Sequence, residues 1–318
     1  MPKIPDSHPL HNTKAFFYRF YIYQKERFPF VGHGLLISVF SFSAISFARL
    51  SAGKEGFIPL DRYVGVAIMC FLLFLLLRIA DEFKDAEDDK KFRSHLPVPR
   101  GLIRLSELKA LAIVTLVIQL LLQLLLFPKM IVLYLVVLIY LALMTKEFFI
   151  PEWLKKQPVA YVASHMLIIP LVDIYASGAD WFLEGSAAPF GLVYFFGVSF
   201  LNGVVLEVGR KIRVPEDESE GVNTYSSMLG PKKASLLWIG FLGFTLVLSL
   251  LAYQTVDSSQ IGKMVLFIAF GLCVLPALLF LFQSKRFWAK AIEISSALWT
   301  LIMYLTLGAI PMIKAHWF

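Results

Sequence analysis

Between Arg78 and Gly101 the chain reads RIADEFKDAEDDKKFRSHLPVPRG. Asp81, Glu82, Asp85, Glu87, Asp88 and Asp89 fall within nine positions. Asp81, Asp85 and Asp89 follow an i, i+4, i+8 spacing, which on a helix stacks three carboxylates along one face, drifting about 40° per step. Such carboxylates repel one another unless a positive charge neutralises them. A hard divalent cation does this well, and Mg²⁺ characteristically takes one or two carboxylates together with substrate phosphates. Lys90, Lys91, Arg93 and Arg100 follow at once. Carboxylates for a metal beside cations for phosphate describe a diphosphate site. A mixed-charge stretch of this kind can also be a solvated loop at a membrane edge. The regular spacing, and the apolar run from about Tyr63 to Leu77 that leads into it, favour a functional reading, because carboxylates at a membrane boundary are costly to keep there.

The elements that must position these residues are membrane helices. Of the 318 residues, 58% are hydrophobic, against about half in soluble domains. Apolar runs of about 20 residues recur along the chain, the length that crosses a bilayer as a helix. We place nine such helices near 32–50, 63–84, 106–126, 130–148, 157–177, 187–209, 233–254, 262–283 and 290–313. Pro170 predicts a kink in the fifth. The chain therefore reads as an all-α integral membrane protein, with an arm over 1–31 and a single nine-helix domain over 32–318. Its two polar motif loops are 78–104 and 207–232. The arm mixes Lys3, Lys14, Arg19, Lys25 and Arg27 with aromatics such as Phe16, Phe17, Tyr18, Tyr21 and Tyr23. It reads as an interfacial helix or a simple tail, and it lacks the apolar centre of a cleavable signal.

Charge asymmetry orients the helices. With the N-terminus inside, all but six of the 30 lysines and arginines lie on the cytoplasmic side; the exceptions are Arg49, Lys54, Arg62, Lys129, Lys263 and Lys314. This positive-inside bias accounts for the +7 net charge without nucleic acid. It predicts a multi-pass protein with its N-terminus and both motif loops in the cytoplasm. Cys70 and Cys273 lie inside apolar runs and read as packing residues.

A second polar cluster follows the sixth helix: Asn202, Glu207, Arg210, Lys211, Arg213, Glu216, Asp217, Glu218 and Glu220, then GVNTYSSMLG. Glu207, Arg210 and Lys211 share a helix face at i, i+3, i+4. A carboxylate beside arginine and lysine can hold metal and diphosphate together, arginine as a planar fork and lysine as a compact charge. A self-neutralising surface loop is the plainer reading of the same residues. The two clusters follow the second and sixth helices, as an internal four-helix repeat would place them. Lys146, ending the fourth helix with Tyr140 before it, can snorkel to the interface. His165 and Asp173, inside the fifth, read as facing a cavity or another helix and lining the substrate chamber, with the outer interface an equal alternative for Asp173.

The first motif resembles the aspartate-rich motif of the UbiA-type intramembrane prenyltransferases, N-D-x-x-D-x-x-x-D continuing into a histidine and a Pro/Gly ending. Asp81 and Glu82 stand where that family has Asn and Asp. Asp85 and Asp89 match directly, and His95, Pro97, Pro99 and Gly101 fall at the family's spacing. Leu96 departs from it, where many members carry arginine. The second loop resembles the family's D-x-x-x-D followed by G-x-x-T and a later Gly: Asp217, Gly221, Thr224 and Gly230 match, while Arg213 replaces the first aspartate. Glu207, or alternatively Glu216, is the candidate substitute.

The resemblance spans essentially the whole chain and implies a UbiA-like bundle with a central cavity at the cytoplasmic face. It implies Mg²⁺ held by Asp81, Glu82, Asp85 and Asp89 on one side and by Glu207 and Asp217 on the other. It implies diphosphate contacts from Arg210, Lys211, Lys146 and Arg78, with Arg78 also orienting the carboxylates. Asp81, Asp85 and Lys211 would carry the chemistry. The implied reaction ionises an isoprenyl diphosphate and passes the prenyl group to a lipophilic or aromatic acceptor, with aromatic side chains facing the cation. A UbiA-type membrane terpene cyclase, using the same ionisation without an acceptor, is the alternative. A transporter is a third reading; the acidic clusters lie at helix ends beside phosphate-binding cations rather than at mid-membrane, which speaks against it.

Overall fold

A computed structural model of the chain describes residues 13–219, 221–257 and 259–317. Residues 1–12 of the arm, and Glu220 of the second cluster, lie outside them. Among the described residues there is no strand, and nine helices are long and apolar enough to cross a membrane. They run α2 (Phe30–Ser51), α3 (Leu60–Lys84), α5 (Leu105–Leu126), α6 (Ile131–Thr145), the pair α8 (Pro158–Met166) and α9 (Ile168–Ser177), α10 (Leu192–Gly209), α12 (Pro231–Gln254), α13 (Gln260–Phe282) and α14 (Arg286–Tyr304) continuing into α15 (Ile310–Trp317). Shorter helices flank them: α1 (Thr13–Arg27), α4 (Ala86–Phe92), α7 (Pro151–Lys156) and α11 (Tyr225–Leu229).

Proline punctuates these elements. Pro158 and Pro231 open α8 and α12, positions where the missing N–H is not needed and φ is already helical. Pro170 does the opposite inside the fifth span. It cannot donate to the carbonyl four residues earlier and its ring crowds that carbonyl, and the span breaks at Leu167 into α8 and α9. The expected kink is therefore present. A π-turn over Leu305–Ala309 precedes Pro311 for the same reason. It brings Gly308 against the Ser43 backbone of α2, where any β-carbon would collide.

Consecutive spans pack side by side and close on themselves. α2 packs on α3, α3 on α5 and α6, α6 on α9, α9 on α10, α10 on α12, α12 on α13, α13 on α14, and α14 returns to α2. Several polar side chains inside the bundle bond across helices, where no water can satisfy them. Tyr175 donates to Gln123 at 2.8 Å, Gln119 to the Met69 carbonyl at 3.2 Å, and Trp238 to the Val205 carbonyl at 3.1 Å. The outer surface carries large exposed apolar residues such as Leu125, Phe267 and Phe282, a face that belongs against lipid. Cys70 and Cys273 are buried and unpaired.

Within the arm, Thr13–Arg27 form α1, which is fastened to the bundle by ion pairs. Buried Arg19 of α1 pairs with Glu107 through two hydrogen bonds of 2.6 and 2.9 Å, and Arg100 holds Glu26 at 2.7 and 2.8 Å. Phe17, Tyr18 and Tyr21 stay exposed on the other face, with the Lys25 ammonium 4.7 Å from the Tyr21 ring. Polar segments sort to two ends of the bundle. At one end Arg49 and Lys54 meet Asp180 and Glu184. At the other end α1, the 78–104 loop, α7 and the 207–232 loop surround a cavity.

Candidate active site

The C-terminal end of α3 builds one wall of this cavity. Phe74, Leu77, Arg78, Asp81, Lys84 and Asp85 line it at helical spacing. The C-terminal end of α10 builds the facing wall with Glu207, then Arg210, Lys211 and Arg213. The chamber is about 750 Å³. Its polar groups gather at the helix ends, and its floor is apolar, formed by Phe74, Leu77, Met166, Ile168 and Ile169. A small apolar void bounded by Leu73, Phe74, Ile168 and Val172 adjoins this floor. Kinking at Leu167 lets residues of both α8 and α9 contribute to one surface.

The two motif loops meet above the chamber. Gly221 has φ +74°, and its α-carbon abuts the ring of Phe92 from the first loop so closely that a β-carbon would overlap it. Only glycine meets both demands without strain. Thr224 then caps α11: its hydroxyl accepts from the Ser227 N–H at 3.0 Å while Ser227 Oγ accepts from the Thr224 N–H at 3.1 Å. These matched glycine and threonine positions thus shape the loop over the site.

The candidate carboxylates divide into two groups. Asp81 and Asp85 line the chamber with side chains 31% and 33% exposed, and Glu207 faces them from the other wall. Glu207 accepts from Lys211 at 2.6 Å and from Arg210 Nε at 2.7 Å. Glu82, Asp89 and Asp217 lie outside the lining residues. Glu82 is 1% exposed and accepts from Arg27 at 2.6 Å, with Arg78 3.2 Å away. Asp89 is buried against Arg93 at 3.1 Å. Asp217 accepts from Arg286 Nε at 2.8 Å. The i, i+4, i+8 face does not survive intact, because α3 ends at Lys84 and a separate helix, α4, begins at Ala86. The bend turns Asp89 into the protein.

Burial in the wall is the main influence on Asp85 and pushes its carboxyl above the ordinary aspartate range, against the pull of Lys84. Asp89 is raised likewise by burial, with Arg93 opposing. The surrounding walls work against the charge of Arg210, although its side chain is 58% exposed, but Glu207, and across the chamber Asp81 and Asp85, hold its guanidinium more firmly protonated than usual. The two walls are therefore within electrostatic reach of each other.

Among the described residues no three His, Cys, Asp or Glu side chains converge to cage a metal ion. Asp81 and Asp85 nevertheless present two partly exposed carboxylates on one wall, the donor set that magnesium uses when substrate phosphates and water complete its shell. The residues fit an ion that arrives with a diphosphate better than one held permanently by protein alone.

Of the cations expected to meet diphosphate, Arg78, Arg210 and Lys211 line the chamber. Lys146 is not among the lining residues. It caps the C-terminus of α6, and the next three residues, Glu147 to Phe149, all take positive φ; Glu147 and, further on, Lys155 line the chamber instead. His165 lines it too, stacked on Tyr161 with ring centroids 4.0 Å apart. Asp173 is fully buried deeper in the bundle. Lys84, Tyr161 and Tyr225 line the chamber without having been singled out in the sequence. Lys84 carried a signal, its place between Asp81 and Asp85; Tyr161 and Tyr225 carried none. Arg27 reaches the site from α1, more than 50 residues before the motif it joins.

Residues 39–307 match the model of the UbiA prenyltransferase family. No curated protein sequence matches the chain. A solved structure described as giving insight into the biosynthesis of digeranylgeranylglyceryl phosphate synthase in membranes is 18% identical, with a TM-score of 0.61; the match covers 93% of this chain and 99% of that one. The apo structure of a UbiA homolog from Aeropyrum pernix K1 is 15% identical, with a TM-score of 0.61, covering 88% of this chain and 97% of that one. At these identities the likeness is one of fold.

Proposed function

The chain belongs to the UbiA prenyltransferase family, and on that premise we propose that it is a magnesium-dependent membrane enzyme that ionises an isoprenyl diphosphate and transfers the prenyl group to a lipophilic or aromatic acceptor. The observation that carries this reading is the chamber's construction. Asp81 and Asp85 face Glu207, Arg210 and Lys211 across a space whose floor is apolar. A diphosphate is complementary to the charged rim and a prenyl chain to the floor.

In this reading Asp81 and Asp85 hold magnesium, with Glu207 facing them. When bound, the ion neutralises charge that grows on the diphosphate as the C–O bond breaks. Arg210 and Lys211 stabilise the same charge from the opposite wall, and Arg78 holds the α3 carboxylates in place while presenting donors to the chamber. The electron pair of the broken bond leaves with the diphosphate. The prenyl carbon becomes electron-poor above Phe74 and beside Tyr161 and Tyr225, rings that can stabilise it by their π-faces. The acceptor's nucleophilic atom then bonds to that carbon and gives up a proton. Glu82, Asp89 and Asp217 are assigned a supporting role, since each is held by arginine outside the lining of the chamber. The positive-inside bias supports a cytoplasmic chamber mouth, where a soluble diphosphate arrives.

The purified protein is incubated in detergent with Mg²⁺ and geranyl, farnesyl or geranylgeranyl diphosphate, alone and with a membrane lipid extract, and products are identified by mass spectrometry. A prenylated product that requires the extract and disappears in Asp85→Ala is the expected result. A cyclic terpene formed from diphosphate alone would replace transfer with cyclisation. Absence of both turnover and diphosphate binding would overturn the reading for these donors.

A further inference from the structure

One cation in the chamber wall fills a position that the first motif leaves unspecified. Lys84 is the last residue of α3 and its side chain is 10% exposed. Its ammonium lies 3.6 Å from Asp81 Oδ1 and 3.9 Å from Asp85 Oδ1. It donates one hydrogen bond, 3.2 Å long, to the hydroxyl of Tyr161, whose ring centre is 5.7 Å away. Helix geometry explains the placement, because the residue three positions after Asp81 lies on the same face and is also the neighbour of Asp85.

Arg78 and Lys211, unlike the far more exposed Lys155, which lies 4.0 Å from Asp88, are engaged differently. Arg78 is 3.2 Å from Glu82, and Lys211 is 2.6 Å from Glu207. Each is tied closely to a carboxylate of its own. Lys84 instead makes only loose ion pairs, and both are with carboxylates that face the chamber. An ammonium has three donors, and the Tyr161 hydroxyl takes one. The space near Asp81 and Asp85 is also where a divalent ion drawn by those two carboxylates would settle. A lysine and a divalent ion repel at that range, about 4 Å, strongly in a partly buried wall.

We propose that Lys84 is a diphosphate-binding residue held by Asp81 and Asp85 until the substrate arrives. In the ligand-free protein it neutralises the two carboxylates. When they engage magnesium, its ammonium turns its unused donors to the diphosphate oxygens. This rests on the reading of the chamber as a diphosphate site. It has a consequence of opposite signs: removing the lysine's charge strengthens metal binding to the empty site and weakens binding of the diphosphate.

The test uses the full chain in detergent, with Lys84→Met, and Lys84→Gln as a second neutral variant that retains a donor for Tyr161. Affinity for Mn²⁺ alone is read from the electron paramagnetic resonance of the free ion. Affinity for inorganic pyrophosphate at saturating Mg²⁺ is read by calorimetry. In both variants Mn²⁺ should bind severalfold more tightly, and pyrophosphate roughly ten- to hundredfold more weakly, the factor that a charge-assisted hydrogen bond is worth. Lys84→Arg should restore part of the pyrophosphate affinity. Tyr161→Phe, which removes the anchor and keeps the charge, should leave Mn²⁺ affinity unchanged. If both affinities fall together in the neutral variants, Lys84 is a structural peg between α3 and α8, and the proposal is overturned. If the wild-type protein binds neither Mn²⁺ nor pyrophosphate, the chamber reading fails and takes this one with it; binding in the wild type with no change in the variants overturns the Lys84 assignment alone.

Discussion

Replacing Glu82 by glutamine separates a metal ligand from an anchor. The family resemblance places Glu82 at a ligand position. In the structure it is buried outside the chamber lining, accepting from Arg27 at 2.6 Å, with Arg78 3.2 Å away, while its second oxygen has no hydrogen-bond partner. Both arginines do line the chamber. Glutamine preserves the shape and one acceptor oxygen but removes the charge, leaving two guanidinium groups that are only 15% and 17% exposed. Breaking a buried pair by neutralising one partner costs about 3–5 kcal/mol. The arginines keep some water, so the lower end, about 3 kcal/mol, applies. The loss should appear as reduced resistance to unfolding by denaturing detergent. Pyrophosphate binding should weaken as well, because Arg27 and Arg78 lose their fixed positions. The affinity of the ligand-free protein for Mn²⁺ should stay within about twofold of wild type. Wild-type stability together with a tenfold or greater loss of Mn²⁺ affinity would refute the reasoning and make Glu82 a direct ligand.

Two further outcomes test the geometry of the site. Gly221→Ala forces a β-carbon onto a residue at φ +74° and into the Phe92 ring; the left-handed backbone costs roughly 1–2 kcal/mol and the overlap about 1–3 more. The loop can lift off to relieve this, so turnover should fall while global unfolding changes little, and limited proteolysis should cut the 207–232 loop faster; unchanged proteolysis and turnover would show that the two loops need not touch. The carboxyl of Asp85 is raised by burial, so it takes up a proton at a higher pH than an ordinary aspartate. Metal-dependent pyrophosphate binding, which needs the ionised form, should therefore weaken on acidification before an unshifted aspartate, at about pH 3.9, would cause it. The sign for stability is the reverse, since protonation removes a charge that burial disfavours and this residue alone should not destabilise the protein there. Asp85→Asn should flatten the binding profile, and an equally steep profile in that variant would assign the titration elsewhere.

The helices were legible because a bilayer imposes a length and a composition on whatever crosses it. Nine expected spans match nine observed among the described residues, with ends shifted by a few residues. The largest shifts are at 187–209, which begins at Leu192, and 290–313, which begins at Arg286. The motif glycines were expected from the family's spacing alone, and Gly101, Gly221 and Gly230 all take positive φ, which leaves few residues to choose from. The fates of individual carboxylates were not legible. Asp81, Glu82, Asp85 and Asp89 look equivalent in a string of acids. Glu82 parts from Asp81 because consecutive helix positions point about 100° apart, and Asp89 parts from both because α3 stops at Lys84 and the face is bent between Asp85 and Asp89. Arg213, which stands where the resemblance expects an aspartate, lines the chamber and puts a positive charge there.

By itself, then, the sequence determined a nine-helix membrane protein with two charged motif loops at one end, through hydropathy, proline placement and charge asymmetry, which are local properties that need no partner to act. Only the tertiary structure decided which charges face the cavity and which face one another. Arg27 joins Glu82 from a helix far earlier in the chain, Asp217 is taken by Arg286, and Lys84 is left between Asp81 and Asp85. The physical reason is that a charge in a membrane protein takes whichever counter-charge the packing brings within a few ångströms. That distance is set by how the helices close around the chamber, not by separation along the chain.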